Sequence, residues 1–198
     1  YLTFWLNDLV PAGVLDSYQS TYLSIIADNM NPRRLLKLFL VILSVSVLLG
    51  YMIPQHFIMP VAGAGKNSYN KSSFWFYPWG KSITHKGVDI FAPEGTGVIS
   101  STGGIVLFSG VLERGGNAVL VLGPKWRLHY YAHLKEIKIS AGRVVYSGKL
   151  LGTVGTTGNA KGKPAHLHYS ISSLLPIPWR ADDSKQGWKK IFYLDPAQ

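Results

Sequence analysis

Six histidines and no cysteine define the chemistry open to this chain. Four of the histidines fall in three short clusters: His85 with Asp89 in HKGVD, His133 in YAHL, and His166 with His168 in HLH. Residues i and i+2 of an extended strand share a face, so His166 and His168 project side by side, and His85 and Asp89 share parity too. Gly87 and the β-branched Val88 and Ile90 disfavour the helical alternative, in which an i, i+4 pair would also converge. Two imidazoles and one carboxylate are a typical three-ligand set for catalytic zinc, with water in the fourth position. The ion lowers the pKa of that water toward about 7, so no side-chain nucleophile is required. There is no HExxH helix, and the remaining histidines must fill the base and electrophile roles.

Other candidates carry weaker signals. His129 shares strand parity with Tyr131 and His133, which allows it to face a groove, although half-burial is the commoner outcome. His56 lies just past an apolar stretch and reads as interfacial. Asn159 with Gly158 and Gly162 shapes a turn that presents HLH and borders its surroundings. Glu94 and Glu113 have no partner at useful spacing and read as solvated surface.

The elements that must position these residues are short. GVDIFAP, GVISS, GIVLFSGVL, NAVLVLG, RLHYYAHL, RVVYSG, LLGTVG and HLHYSIS are β-branched or aromatic runs separated by glycine clusters. Such spacing predicts a mainly β domain built from hairpins. With 198 residues there is room for one such domain and an extra segment. That segment is conspicuous: Leu35 to Ile53 reads LLKLFLVILSVSVLLGYMI, about 28 Å as a helix, and predicts a transmembrane anchor. Arg33, Arg34 and Lys37 flank its start, and no Lys or Arg follows until Lys66, which places everything after Pro54 outside the cytoplasm. No small-residue cleavage site follows the apolar run, so an uncleaved anchor is expected. The layout expected is an extension over 1–32, possibly upstream of a natural start at Met30, an anchor over 33–54, a linker over 55–73 and a catalytic domain over 74–198.

The net charge is +10, and the excess lies wholly after Pro54, because three acidic residues balance the three basic ones before it. A cationic domain concentrates anionic polymers. Nucleic acid is not the expected partner, since no nucleic-acid-binding signature accompanies the scattered Lys and Arg.

THKGVDIFAPEGTGV, YYAHL and VGTTGNAKGKPAHLHYSI resemble the lysostaphin/LytM-type zinc peptidases of bacterial cell walls over roughly residues 74–198. The resemblance implies an antiparallel β domain with its site in a groove between loops. It implies zinc held by His85, Asp89 and His168, with His133 and His166 assisting catalysis, base and oxyanion donor unassigned between them. An upstream aromatic hydroxyl used by some members points only loosely to Tyr77, whose packing role is the plainer reading. The implied activity is endopeptidase cleavage of peptidoglycan cross-links by a domain anchored to the cytoplasmic membrane. A non-catalytic wall-binding or hydrolase-activating module is the alternative, and a soluble exported protease a third reading.

Overall fold

A computed structural model describes residue 17, residues 19–24 and residues 31–198. Most of the extension expected over 1–32, Met30 included, lies outside the described residues. The chain divides into two compact units, 1–48 and 49–198.

Helix α1 spans Pro32–Met52. Asn31 starts it: its side-chain Oδ1 accepts from the Arg33 N–H at 2.9 Å and its carbonyl from the Arg34 N–H at 2.7 Å. Pro32, with no N–H to satisfy, occupies the first helical position. Twenty-one residues give a rise of about 31 Å. Its Leu, Ile and Phe side chains, with Val41 and Val45, are exposed, and it is long and apolar enough to cross a membrane.

The second unit is a nine-stranded antiparallel sheet. Its strands are β1 (Val88–Phe91), β2 (Gly97–Ile99), β3 (Gly104–Leu112), β4 (Gly116–Gly123), β5 (Arg127–Ile137), β6 (Val144–Val145), β7 (Leu150–Val154), β8 (His166–Ser173) and β9 (Tyr193–Leu194). The main order is β1-β8-β5-β4-β3-β6, with β7 joining β2 to β5 and β9 on β8. Each of the eight runs read from the sequence falls on one of β1 to β8, with β4, β5 and β8 extending one to three residues beyond their runs. Period-2 alternation decides which residues go where. On β8, Leu167, Tyr169 and Ile171 are buried in the core with Val88 and Ile90 of β1, each contributing about 1.5–3 kcal/mol. His166, His168 and Ser170 take the other face.

Residues 55–62, within the expected linker, are hydrogen-bonded to the sheet. Ile58 N–H donates to Ser101 O, Ile99 N–H to Pro60 O and Ala62 N–H to Gly97 O. Val61 belongs to the core. The residues after β8, expected as an irregular loop, reach back to the segment before β1: Trp75 Nε1–H donates to Lys185 O at 3.1 Å and the Thr84 hydroxyl to Gln186 Oε1 at 3.0 Å.

A polar chain runs through the core. Arg127 donates to Gln55 Oε1, which turns the amide N–H toward His129 Nε2, 3.3 Å away. His129 Nδ1 must then carry the proton, and it donates to the Tyr169 hydroxyl at 2.7 Å, which bonds Ser101 Oγ at 2.6 Å. Burial, aided by the Arg127 charge, pulls the His129 pKa down to about 3. Above pH 6.5 folded and unfolded states are both neutral at this residue and its stabilisation is complete. As pH falls from about 6.5 toward 3 the unfolded chain takes up a proton that folded His129 refuses, and stability is lost at up to about 1.4 kcal/mol per pH unit. In urea titrations, the stability advantage of the native chain over His129→Gln should therefore shrink by about 2 kcal/mol between pH 7 and pH 5. Parallel curves would mean that His129 titrates as it does in the unfolded chain.

Candidate metal centre

Asp89 of β1 pairs across the sheet with His168 of β8, and Ala132 of β5 pairs with His168 on its other side. Cross-strand partners share a face, so the Asp89 carboxylate and the His168 imidazole meet directly. Asp89 Oδ1 lies 2.8 Å from His168 Nδ1. His85 reaches the same point from the turn before β1, its Nε2 being 3.1 Å from both Asp89 Oδ1 and His168 Nδ1. Gly87 permits this approach, because a Cβ there would come within 2.4 Å of the Tyr169 carbonyl and 3.0 Å of the His168 ring.

The carbonyls around the site fix its protons. His85 Nδ1–H donates to Ser73 O at 2.9 Å, so the neutral ring turns a lone pair at Nε2 toward the cluster. His168 Nδ1 and Asp89 Oδ1 converge there too, and a single proton cannot satisfy three such atoms. A cation can. Their separations of 2.8–3.1 Å approach the roughly 3.3 Å expected between ligands of a tetrahedral ion held at about 2.0–2.1 Å. The donor set therefore fits a divalent metal, and His85, Asp89 and His168 form a group able to hold one. Burial opposes ionisation of the Asp89 carboxyl, but the His168 and His85 imidazoles outweigh it and hold the group well below the usual carboxylate range.

His166 and His133 stand beside this group. His166 Nδ1–H donates to Pro164 O at 2.7 Å, leaving Nε2 4.0 Å from Asp89 Oδ2. His133 Nδ1–H donates to Thr157 O at 2.9 Å, its ring centroid 5.1 Å from that of His166. Burial first, then the His168 and His166 rings, pull His133 down to about 4 against the opposing pull of Thr157 O and Asp89. It is neutral at pH 7, with Nε2 as an acceptor.

Simple parity would send His133 to the core side with His129 and Tyr131. A bulge reverses this. Ala132 and His133 together oppose Ala118, since Val119 pairs with Tyr131 and Asn117 with Leu134. His133 adopts φ 65°, a left-handed conformation that costs a residue with a Cβ about 1 kcal/mol, and its side chain swings to the site.

Residues 83–177 match peptidase family M23. Residues 83–177 are thus a peptidase M23 domain. The chain is 39% identical over 104 residues to the DD-carboxypeptidase/endopeptidase Mpg of Neisseria meningitidis, a match covering 48% of this chain and 24% of the relative. It is 33% identical over 115 residues to an L-Ala--D-Glu endopeptidase of Bacillus subtilis, covering 54% and 35%. The chain thus spans only about a quarter to a third of the length of these relatives. Among solved structures, one assigned as a glycyl-glycine endopeptidase LytM from Ruminococcus gnavus aligns with TM-score 0.56 at 25% identity, covering 76% of this chain and 61% of that one.

Several features of the M23 site were not read from sequence. Trp79 stacks on His85 at 4.1 Å between ring centroids, and Tyr130 meets His168 edge-on at 6.3 Å. Both line the cleft, as does Asn159. Tyr77 is exposed and does not line it. His129 is buried on the opposite face, and His56 is exposed. Glu94 is half exposed and pairs with Lys135 at 3.1 Å. The aromatic run FWFYPW was the available signal for Trp79, but it does not say which ring faces the histidines.

The bulge makes a prediction for the M23 domain. His133→Gly should be more stable than His133→Ala by about 1 kcal/mol in denaturant unfolding, because glycine accepts φ 65° without a Cβ clash. Equal stabilities would show that the left-handed conformation is absent in solution.

Proposed function

We propose that this chain is a zinc metalloendopeptidase that hydrolyses the peptide part of bacterial peptidoglycan from a position anchored to the cytoplasmic membrane. The observation that carries the reading is the convergence of His85 Nε2, Asp89 Oδ1 and His168 Nδ1 on one point, with two tautomer-fixed imidazoles beside it. The membership in M23 and the naming of relatives for peptidoglycan bonds support the substrate class.

His85, Asp89 and His168 would hold the ion, which when bound supplies a Lewis acid that polarises the scissile carbonyl and acidifies a water. The chain's own residues do the rest. His133, neutral at pH 7, accepts at Nε2 the proton of the attacking water and returns it to the departing amine. Thr157 O keeps the ring in that tautomer. His166, its Nδ1–H held in turn by Pro164 O, presents Nε2 as a second acceptor beside the site, able to donate to the oxygen on which charge develops once it has taken up a proton. Trp79 and Tyr130 form apolar walls against which a peptide backbone can lie.

Helix α1 is the proposed anchor. Arg33, Arg34 and Lys37 at its N-terminal end support a cytoplasmic N-terminus and an M23 domain outside, where peptidoglycan is.

Incubated with isolated sacculi and zinc, the full chain in detergent should release cleaved muropeptides, identified by mass spectrometry. Binding without release would favour the wall-binding alternative. Two variants separate the roles. His168→Ala should lose bound zinc, measured by elemental analysis, whereas His133→Ala should keep it and lose about a hundredfold to ten-thousandfold in rate. Equal loss of metal in both would show that His133 is a ligand.

A further inference from the structure

The M23 relatives are named for chemically different bonds, and the charge around the cleft bears on which kind of peptide this one accepts. Lys81, Lys86, Arg114, Lys163 and Lys189 line the space that holds the histidines, and Asp89 is the sole carboxylate among its lining residues. Asp89 is committed to the ligand cluster. Where the cleft continues past Pro78 and Gly158, Lys81, Arg114 and Lys163 recur and only Glu113 opposes them. Among the described residues, none of the five cations is in an ion pair; the lysines that are paired, Lys135, Lys138 and Lys190, do not line this space.

The five differ in freedom. Lys86 is locked: its Nζ donates to Ser82 O and Gln186 Oε1 at 2.9 Å each, and it lies 3.1 Å from Thr84 Oγ1. All of these acceptors are neutral, so its charge is fixed in place and uncompensated. Arg114 and Lys163 are exposed, and they flank Asn159, whose N–H is held by the Arg114 carbonyl at 2.9 Å. An arginine free to swing over a cleft offers a planar fork that matches a carboxylate bidentately.

Cations lining a concave site, with one committed counter-charge, create a field that a neutral peptide cannot use and a carboxylate-bearing peptide can. We infer that the substrate of this cleft is an acidic peptide, carrying free carboxylates within a residue or two of the scissile bond, rather than a neutral glycine bridge. Arg114 and Lys163 are the specificity residues that engage those carboxylates, and Lys86 supplies background potential. The inference deepens the proposed hydrolysis of peptidoglycan and rests on that reading for the identity of the polymer.

The test uses one polymer in two charge states: sacculi as isolated, and the same sacculi with their carboxylates converted to amides by carbodiimide coupling to ammonia. Binding of the full chain in detergent is read by co-sedimentation, and cleavage by muropeptide release. Native sacculi should bind about tenfold more tightly than amidated ones at low salt, with the preference shrinking as salt is raised. In the Arg114→Gln/Lys163→Gln variant the native-to-amidated ratio should fall toward one. Equal binding of the two polymers, or a full preference retained by the double variant, overturns the inference whether or not cleavage occurs. Preferential binding of native sacculi without cleavage leaves the charge assignment standing and removes the hydrolase reading instead.

Discussion

Three lone pairs aimed at one point repel one another, and the sheet is arranged to hold them there. His85 Nε2, Asp89 Oδ1 and His168 Nδ1 lie within 2.8–3.1 Å of each other, an arrangement that positive charge between them stabilises. None of the three can relax away. Asp89 and His168 are opposed in register between β1 and β8, and His85 is tied through Nδ1 to Ser73 and stacked under Trp79. The folding energy of the Val88, Ile90, Leu167 and Tyr169 face, directly behind, offsets the cost of the polar face. Strand alternation thus divides β1 and β8 into a side that stabilises and a side that binds.

The same division explains the two histidines of β5. His129 follows the alternation and ends in the core, where Tyr169 and Gln55 satisfy both ring nitrogens. His133 breaks it through the bulge opposite Ala118 and arrives beside His166. Both are held neutral by burial, yet one serves packing and the other is presented to the cleft.

Much of this was legible in the chain. The glycine-separated runs fell on strands because β-branched residues and turn residues report the same boundaries twice. HLH read correctly as two side chains on one face, since a regular strand imposes period 2 on any sequence. His129 against His133 could not be decided that way: the bulge depends on how β4 pairs with β5, and no residue within YYAHL announces it. The packing of Val61 beneath the sheet was hidden for a different reason. FIMPVA is a short apolar run broken by Pro60 and without a strand's period, and the place of Val61 is set by pairing with β2, distant in the chain. The grouping of Lys81, Arg114 and Lys163 was equally invisible, because distance along the chain conceals it.

The hydrogen bonds of residues 55–62 to the sheet also move the boundary of the folded unit. Gln55 is already fastened to Arg127 and His129, and Val61 fills the core, well ahead of the motifs that begin near residue 74. A fragment trimmed to the motif-bearing region would open a void beneath β2 and leave His129 Nε2 without its amide partner.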